Sequence, residues 1–154
     1  MGEKQFDYYV FIDYSDNLIG YIILNKEKIK GCFPWINKLK HYRRIKRGSL
    51  YLKAMKNMFE RNNVLGSLEK HKVTELRYNL ELCSEIFEFC KSKPDSNIFI
   101  SVDDRQYLGF MKLMNVLDGK KFTIVKEGKL IPNSIEHKLS FIIDTLLNLK
   151  RTRL

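Results

Sequence analysis

The chain has 154 residues, 44% apolar and 30% charged, with 28 Lys and Arg against 18 Asp and Glu and a net charge of +10. That length suits one domain with its own hydrophobic core, and the composition excludes a disordered polyelectrolyte. No apolar run approaches the roughly 20 residues that cross a bilayer, and the first residues lack a secretory apolar segment. A cytoplasmic protein with no membrane partner is expected.

In chain order, Tyr8 to Ile12 is β-branched and aromatic and predicts a buried strand ending at Asp13. Asp16-Asn17 is turn chemistry, and Leu18 to Leu24 predicts its hairpin partner. A weaker third strand is expected near Lys28 to Phe33, stopped by Pro34. Ser49 can cap a helix running to Asn62. Thr74 and Glu75 open a helix whose Leu76, Leu80, Cys83, Phe87 and Cys90 share a face, widened by Leu82, Ile86 and Phe89. A strand over Asn97 to Val102 ends in Asp103-Asp104. A helix over Tyr107 to Leu117, a strand over Lys121 to Val125 and a last helix from Pro132 to Lys150 complete an α/β order.

The charge is concentrated. Lys28 to Phe59 contains ten cations and no acid, so the remaining bases balance the 18 acids and the whole excess lies in that block. Lys38, Lys40, Arg43, Arg44, Lys46 and Arg47 are interleaved there with Trp35 and Tyr42, an arrangement that suits phosphate neutralisation and base stacking. A nucleic-acid partner is expected, with an acidic protein as the alternative. Cys32, Cys83 and Cys90 form no CxxC pair, and neither GxGxxG, GxxxxGK[ST] nor GxSxG occurs.

Three acidic positions stand where apolar residues are expected. Asp13 closes one buried strand, Asp103-Asp104 closes another, and Asp144 interrupts Phe141 to Leu147. An unpaired buried carboxylate costs several kcal/mol, so each must be paired, bind a metal or face a site. If the two strands lie parallel, their acids meet at one sheet edge, and the stripe Glu136, Ser140, Asp144 can face it. Clustered carboxylates are stabilised by divalent cations, here Mg²⁺ or Mn²⁺, which would clamp a phosphodiester in displacement. Asp13, Asp104 and Asp144 are the candidate metal ligands, and Asp13, Asp103, Asp104 and Asp144 the candidate catalytic set. Glu136 and His137 are possible auxiliaries.

Phe11-Ile12-Asp13-Tyr14-Ser15-Asp16, Ile100-Ser101-Val102-Asp103-Asp104 and Leu139-Ser140-Phe141-Ile142-Ile143-Asp144 together resemble the ribonuclease H-like superfamily. They are most similar to an uncharacterised family whose first strand ends in Asp-Glu-Ser-Gly. Tyr14 stands where that family often has Glu, and Asp16 where it has Gly. The resemblance implies one domain over residues 1–154 with a basic insertion at about 34–48. It implies a mixed sheet flanked by helices, an antiparallel hairpin first and then parallel strands. It also implies a metal-dependent nuclease. A fourth carboxylate is not evident, with Glu60, Glu81 and Glu85 as candidates. The alternative is a non-catalytic nucleic-acid-binding or assembly module.

Overall fold

The computed structural model describes residues 7–32, 34–92, 96–101, 110–112, 123–126, 129–132 and 134–153. Strand β1 (Tyr8–Ser15) and strand β2 (Leu18–Asn25) form the expected hairpin, paired from Tyr8↔Asn25 to Ser15↔Leu18. Asp16 adopts φ 52 at the turn, a left-handed geometry that Asp tolerates better than most residues.

The region expected to form a third strand instead tightens into 3-10 turns, Lys26–Lys28 and Lys30–Cys32. Asn25 drives this, because its side-chain oxygen accepts the Glu27 N–H and draws the backbone away from an extended ladder. Two further 3-10 turns, Trp35–Lys38 and Tyr42–Arg44, lead into helix α1 (Gly48–Arg61) and the short α2 (Val64–Ser67). The third strand, β3 (Lys70–Glu75), follows only there and pairs antiparallel with β2. Its ladder is prolonged at both ends, by Glu69 N–H to the Ile23 carbonyl and Leu76 N–H to the Asn17 carbonyl.

This corrects the sheet expected from the sequence: its third strand is Lys70–Glu75, antiparallel to β2, and not the region Lys28 to Phe33. The strand next after the hairpin is antiparallel, so β1, β2 and β3 form an all-antiparallel unit. Strands β4 (Ser96–Ser101) and β5 (Thr123–Lys126) lie on the other side of β1 in the order β3-β2-β1-β4-β5, with β4 parallel to β1 and β5 parallel to β4. The helix expected from Thr74 is corrected too. Leu76–Tyr78 is a 3-10 turn and helix α3 spans Asn79–Ser92, burying Leu82, Cys83, Ile86 and Cys90 while Leu80 stays 57% exposed. The last helix, α4, spans Ile135–Thr152, capped by Ser134, whose oxygen accepts the His137 N–H. The helix expected over Tyr107 to Leu117 falls mostly outside the described residues. No helix among the described residues is long and apolar enough to cross a membrane.

The two-residue period of β1 and β2 sorts the core into two layers. Tyr9, Phe11, Ile22 and Leu24 pack with α1 and α4 through Met55, Met58, Leu139, Ile142, Ile143 and Leu147. Val10, Ile12, Ile19, Tyr21 and Ile23 pack on the opposite side with Leu82, Cys83, Ile86 and Cys90 of α3. The free thiols are buried, and burial pushes Cys32 up to about 11 and Cys83 up to about 12, which leaves both as poor nucleophiles.

On the α3 side, Glu85 accepts hydrogen bonds from the Tyr21 hydroxyl at 2.9 Å and the Lys72 ammonium at 2.6 Å, tying α3 to β2 and β3. Burial raises the Glu85 carboxyl, but the Lys72 and Tyr21 hydrogen bonds outweigh it and hold the group below the usual Glu range. A carboxyl lowered on folding stabilises above its unfolded pKa, and that contribution disappears as the pH falls through the lowered folded value. Lys72 and Glu85 keep 37% and 32% of their side chains exposed, so the contribution is small. Glu85→Gln is expected to cost about 1 kcal/mol at neutral pH. Melting curves of the two proteins should converge on acidification, and a constant gap would exclude ionisation as the cause.

Candidate functional site

Asp13 and Asp144 are both buried, at 5% and 7% exposure. The alternation of β1 puts Asp13 on the same face as Tyr9 and Phe11, which is the face covered by α4. Gly20 lies directly across the hairpin from Asp13. A Cβ at Gly20 would stand 2.9 Å from Cδ1 of Ile143 and 3.1 Å from the Lys72 carbonyl oxygen. Glycine therefore lets α4 seat against the hairpin beside Asp13, and Asp144 is the next residue along that helix. Asp13 thus lies on the sheet face that α4 covers, and Asp144 lies on α4. Asp13 also faces Ser101 across the parallel β1–β4 pair. Asp103 and Asp104 lie outside the described residues.

Asp13 Oδ1 accepts the Tyr14 N–H at 2.8 Å. Asp144 Oδ2 accepts the Tyr42 N–H at 2.9 Å, and its Oδ1 accepts from Asn148 Nδ2 at 3.3 Å. Burial raises the Asp144 carboxyl above the usual Asp range, against the lowering influence of the Tyr42 N–H, His41, Arg43 and Asn148. The polar stripe of α4 runs on beyond the three expected positions. Ser140 is buried and donates to the His137 carbonyl, and Asn148 also holds the Arg151 guanidinium at 2.9 Å.

Tyr42 belongs to the basic segment, which is docked rather than loose. Trp35, Ile36 and Leu39 are core residues, Tyr51 hydroxyl bonds both backbone groups of Lys40, and Lys138 donates to Asn37 at 2.8 Å. Arg151 lies 5.5 Å over the Tyr42 ring. Lys38, Lys40, Arg43, Lys46 and Arg47 are exposed, and Arg44 closes the Tyr42–Arg44 turn. Arg43 and Arg44 thus follow directly on Tyr42, whose N–H caps Asp144. His41 and His137 both stand edge-on to Phe141, and Glu136 lies in the first turn of α4.

Among the fourth-carboxylate candidates, Glu85 is engaged on the opposite face of the sheet, and Glu60 lines a cleft that neither Asp13 nor Asp144 borders. Among the described residues, no three of His, Cys, Asp and Glu come together as a metal-holding group. Asp13 and Asp144 are hard oxygen donors of one layer, which suits a divalent cation, but both Asp144 oxygens already accept hydrogen bonds. Sequence reasoning missed Gly20, Asn148 and the Tyr42 N–H. Asn148 was legible as the next i+4 step after Glu136, Ser140 and Asp144. The Tyr42 N–H, a backbone group 102 residues away, left no signal.

Replacing Asp144 with Leu removes the acceptor that pins Tyr42. Hydrogen bonds to a charged acceptor contribute about 1.5–3 kcal/mol, so exchange of the Tyr42 amide hydrogen should accelerate about tenfold or more in Asp144→Leu. Unchanged exchange would show that other contacts hold the segment. Neither a protein-family model nor a curated protein sequence matches the chain.

Proposed function

We propose that this protein is a divalent-metal-dependent phosphoryl-transfer enzyme acting on nucleic acid, with phosphodiester hydrolysis as its reaction. The observation that carries the reading is the Tyr42 N–H to Asp144 bond, which joins the cationic segment to the buried-acid layer. Asp13 and Asp144 would hold the Mg²⁺ or Mn²⁺ ion, and Asp103 and Asp104, which follow β4 in the sequence, are the further candidate donors. A bound divalent ion supplies charge neutralisation and a more acidic water. Lys38, Lys40, Arg43, Lys46 and Arg47 hold the phosphates of the substrate and set its register. Burial of Asp13 and Asp144 keeps bulk water from competing for their oxygens.

A second reading has its own support. The donors already present on Asp144 satisfy the carboxylate without a metal, as a non-catalytic nucleic-acid-binding module would require. Calorimetric titration of Mg²⁺ and Mn²⁺, with and without an oligonucleotide, separates the two. Saturable metal binding with metal-dependent cleavage supports the enzyme. Salt-sensitive oligonucleotide binding that is indifferent to chelator, with no metal uptake in either titration, rejects it in favour of the binding module.

A further inference from the structure

A cleft of about 1130 Å³ opens between the C-terminal halves of α1 and α4 and the edge strand β3. Its apolar lining is Phe59, Val73, Leu146 and Leu149, drawn from all three elements, with Leu65 of α2 beside them. Lys56, Lys150 and Arg153 stand exposed around it, with Glu60 as the carboxylate among the lining residues. Lys56 and Glu60 are i and i+4 on α1 and offset one another, so the net positive end is the α4 wall, Lys150 and Arg153. Neither Asp13 nor Asp144 borders the cleft.

Backbone geometry adds an independent observation. Asp16, Asn63 and Arg153 are the non-glycine residues with positive φ among those described, and two of them, Asn63 and Arg153, line this cleft. Arg153 caps α4 at φ 59, where glycine is the ordinary occupant. A long side chain in that conformation costs about 1 kcal/mol. Its presence keeps a guanidinium at the cleft that glycine would not supply. Strained positions of this kind cluster at ligand sites.

We propose that the cleft binds an amphiphilic organic anion, with an acyl or alkyl body on Phe59, Val73, Leu146 and Leu149 and a carboxylate or phosphate head on Lys150 and Arg153. The guanidinium fork suits either head group in bidentate fashion. The volume sits just above the span of typical small-molecule clefts, about 300–1,000 Å³. The lining favours an aliphatic body, because four of its residues are aliphatic and Phe59 is 5% exposed and offers little stacking surface.

Trp35, the sole tryptophan, reports on the site because its ring lies 6.0 Å from that of Phe59. Decanoate and decyl phosphate should each change Trp35 fluorescence saturably. Shortening decanoate to octanoate should weaken binding about tenfold, from two methylenes removed from the apolar lining. Lys150→Glu combined with Arg153→Glu should weaken both ligands about tenfold or more, with far-UV circular dichroism unchanged because both side chains are exposed. Four outcomes overturn the proposal. These are unaltered affinity in the double variant, equal binding of decyltrimethylammonium, competition by inorganic phosphate as strong as by decyl phosphate, or oligothymidylate binding through these residues without decanoate binding.

Discussion

Asp13→Asn is expected to abolish saturable Mg²⁺ and Mn²⁺ binding, and any cleavage that depends on it, while the protein stays folded. The substitution is nearly isosteric at a 5% exposed position, and the amide oxygen can still accept the Tyr14 N–H that Oδ1 accepts at 2.8 Å. What is lost is the negative charge, and hard divalent cations select ionised oxygen donors. Asp144 cannot compensate, because its oxygens are shared with Tyr42 and Asn148. Stability should change by less than about 1 kcal/mol, since a buried neutral amide replaces a buried charge in the same shape. The same calorimetric titration reads the binding, and circular dichroism reads the fold. Retained binding would remove Asp13 from the metal site. Loss of binding together with unfolding would make Asp13 a structural residue.

Gly20→Val is expected to destabilise the fold by about 3 kcal/mol, the upper part of the usual overpacking range. A Cβ there meets Ile143 Cδ1 at 2.9 Å, Val73 Cγ2 at 3.0 Å and the Lys72 carbonyl oxygen at 3.1 Å. The Ile143 tip can turn away, but the Lys72 carbonyl belongs to the neighbouring strand and moves only with β3. Replacing a strand glycine recovers about 0.5–1 kcal/mol of backbone entropy, too little to offset the clash. Gly20→Ala should cost less, because alanine adds only that first carbon. A double-mutant cycle with Ile143→Ala tests the contact, and the double variant should be markedly more stable than the sum of the single losses. Strict additivity in urea melts would show that Ile143 is not what Gly20 accommodates. Because Ile143 precedes Asp144, the Gly20→Val protein that remains folded should also bind the metal less well than wild type.

Much of the fold was legible because its signals are local. The run Tyr8 to Ile12, the turn Asp16-Asn17 and the run Leu18 to Leu24 specify a hairpin from β propensity and turn chemistry alone, and the hairpin is found. The repeat of α4 predicted a helix with Asp144 on its buried side, as found. By contrast, Thr74 and Glu75, expected to open a helix, close β3 instead. β3 is an edge strand whose Lys70, His71 and Glu75 are exposed and whose Lys72, Val73 and Thr74 are only half-buried, so it lacks the alternation that marks a strand. The apolar content after Lys28 misleads in the opposite sense, because the Asn25 cap turns the backbone at Lys26–Lys28 before a strand can begin.

The sequence by itself determined that carboxylates would stand at Asp13 and inside α4, and that all excess positive charge would lie between Lys28 and Phe59. These are properties of residue type and spacing, and they survive any arrangement of the elements. Only the tertiary structure decided that the charged segment folds over Asp144, through a backbone N–H that carries no residue identity. It alone decided that Gly20 opens the space for Ile143, and that Phe59, Val73 and Leu149, distant in the chain, share one cleft. Close packing and long-range hydrogen bonds depend on where elements meet, and a linear pattern does not encode those meetings residue by residue.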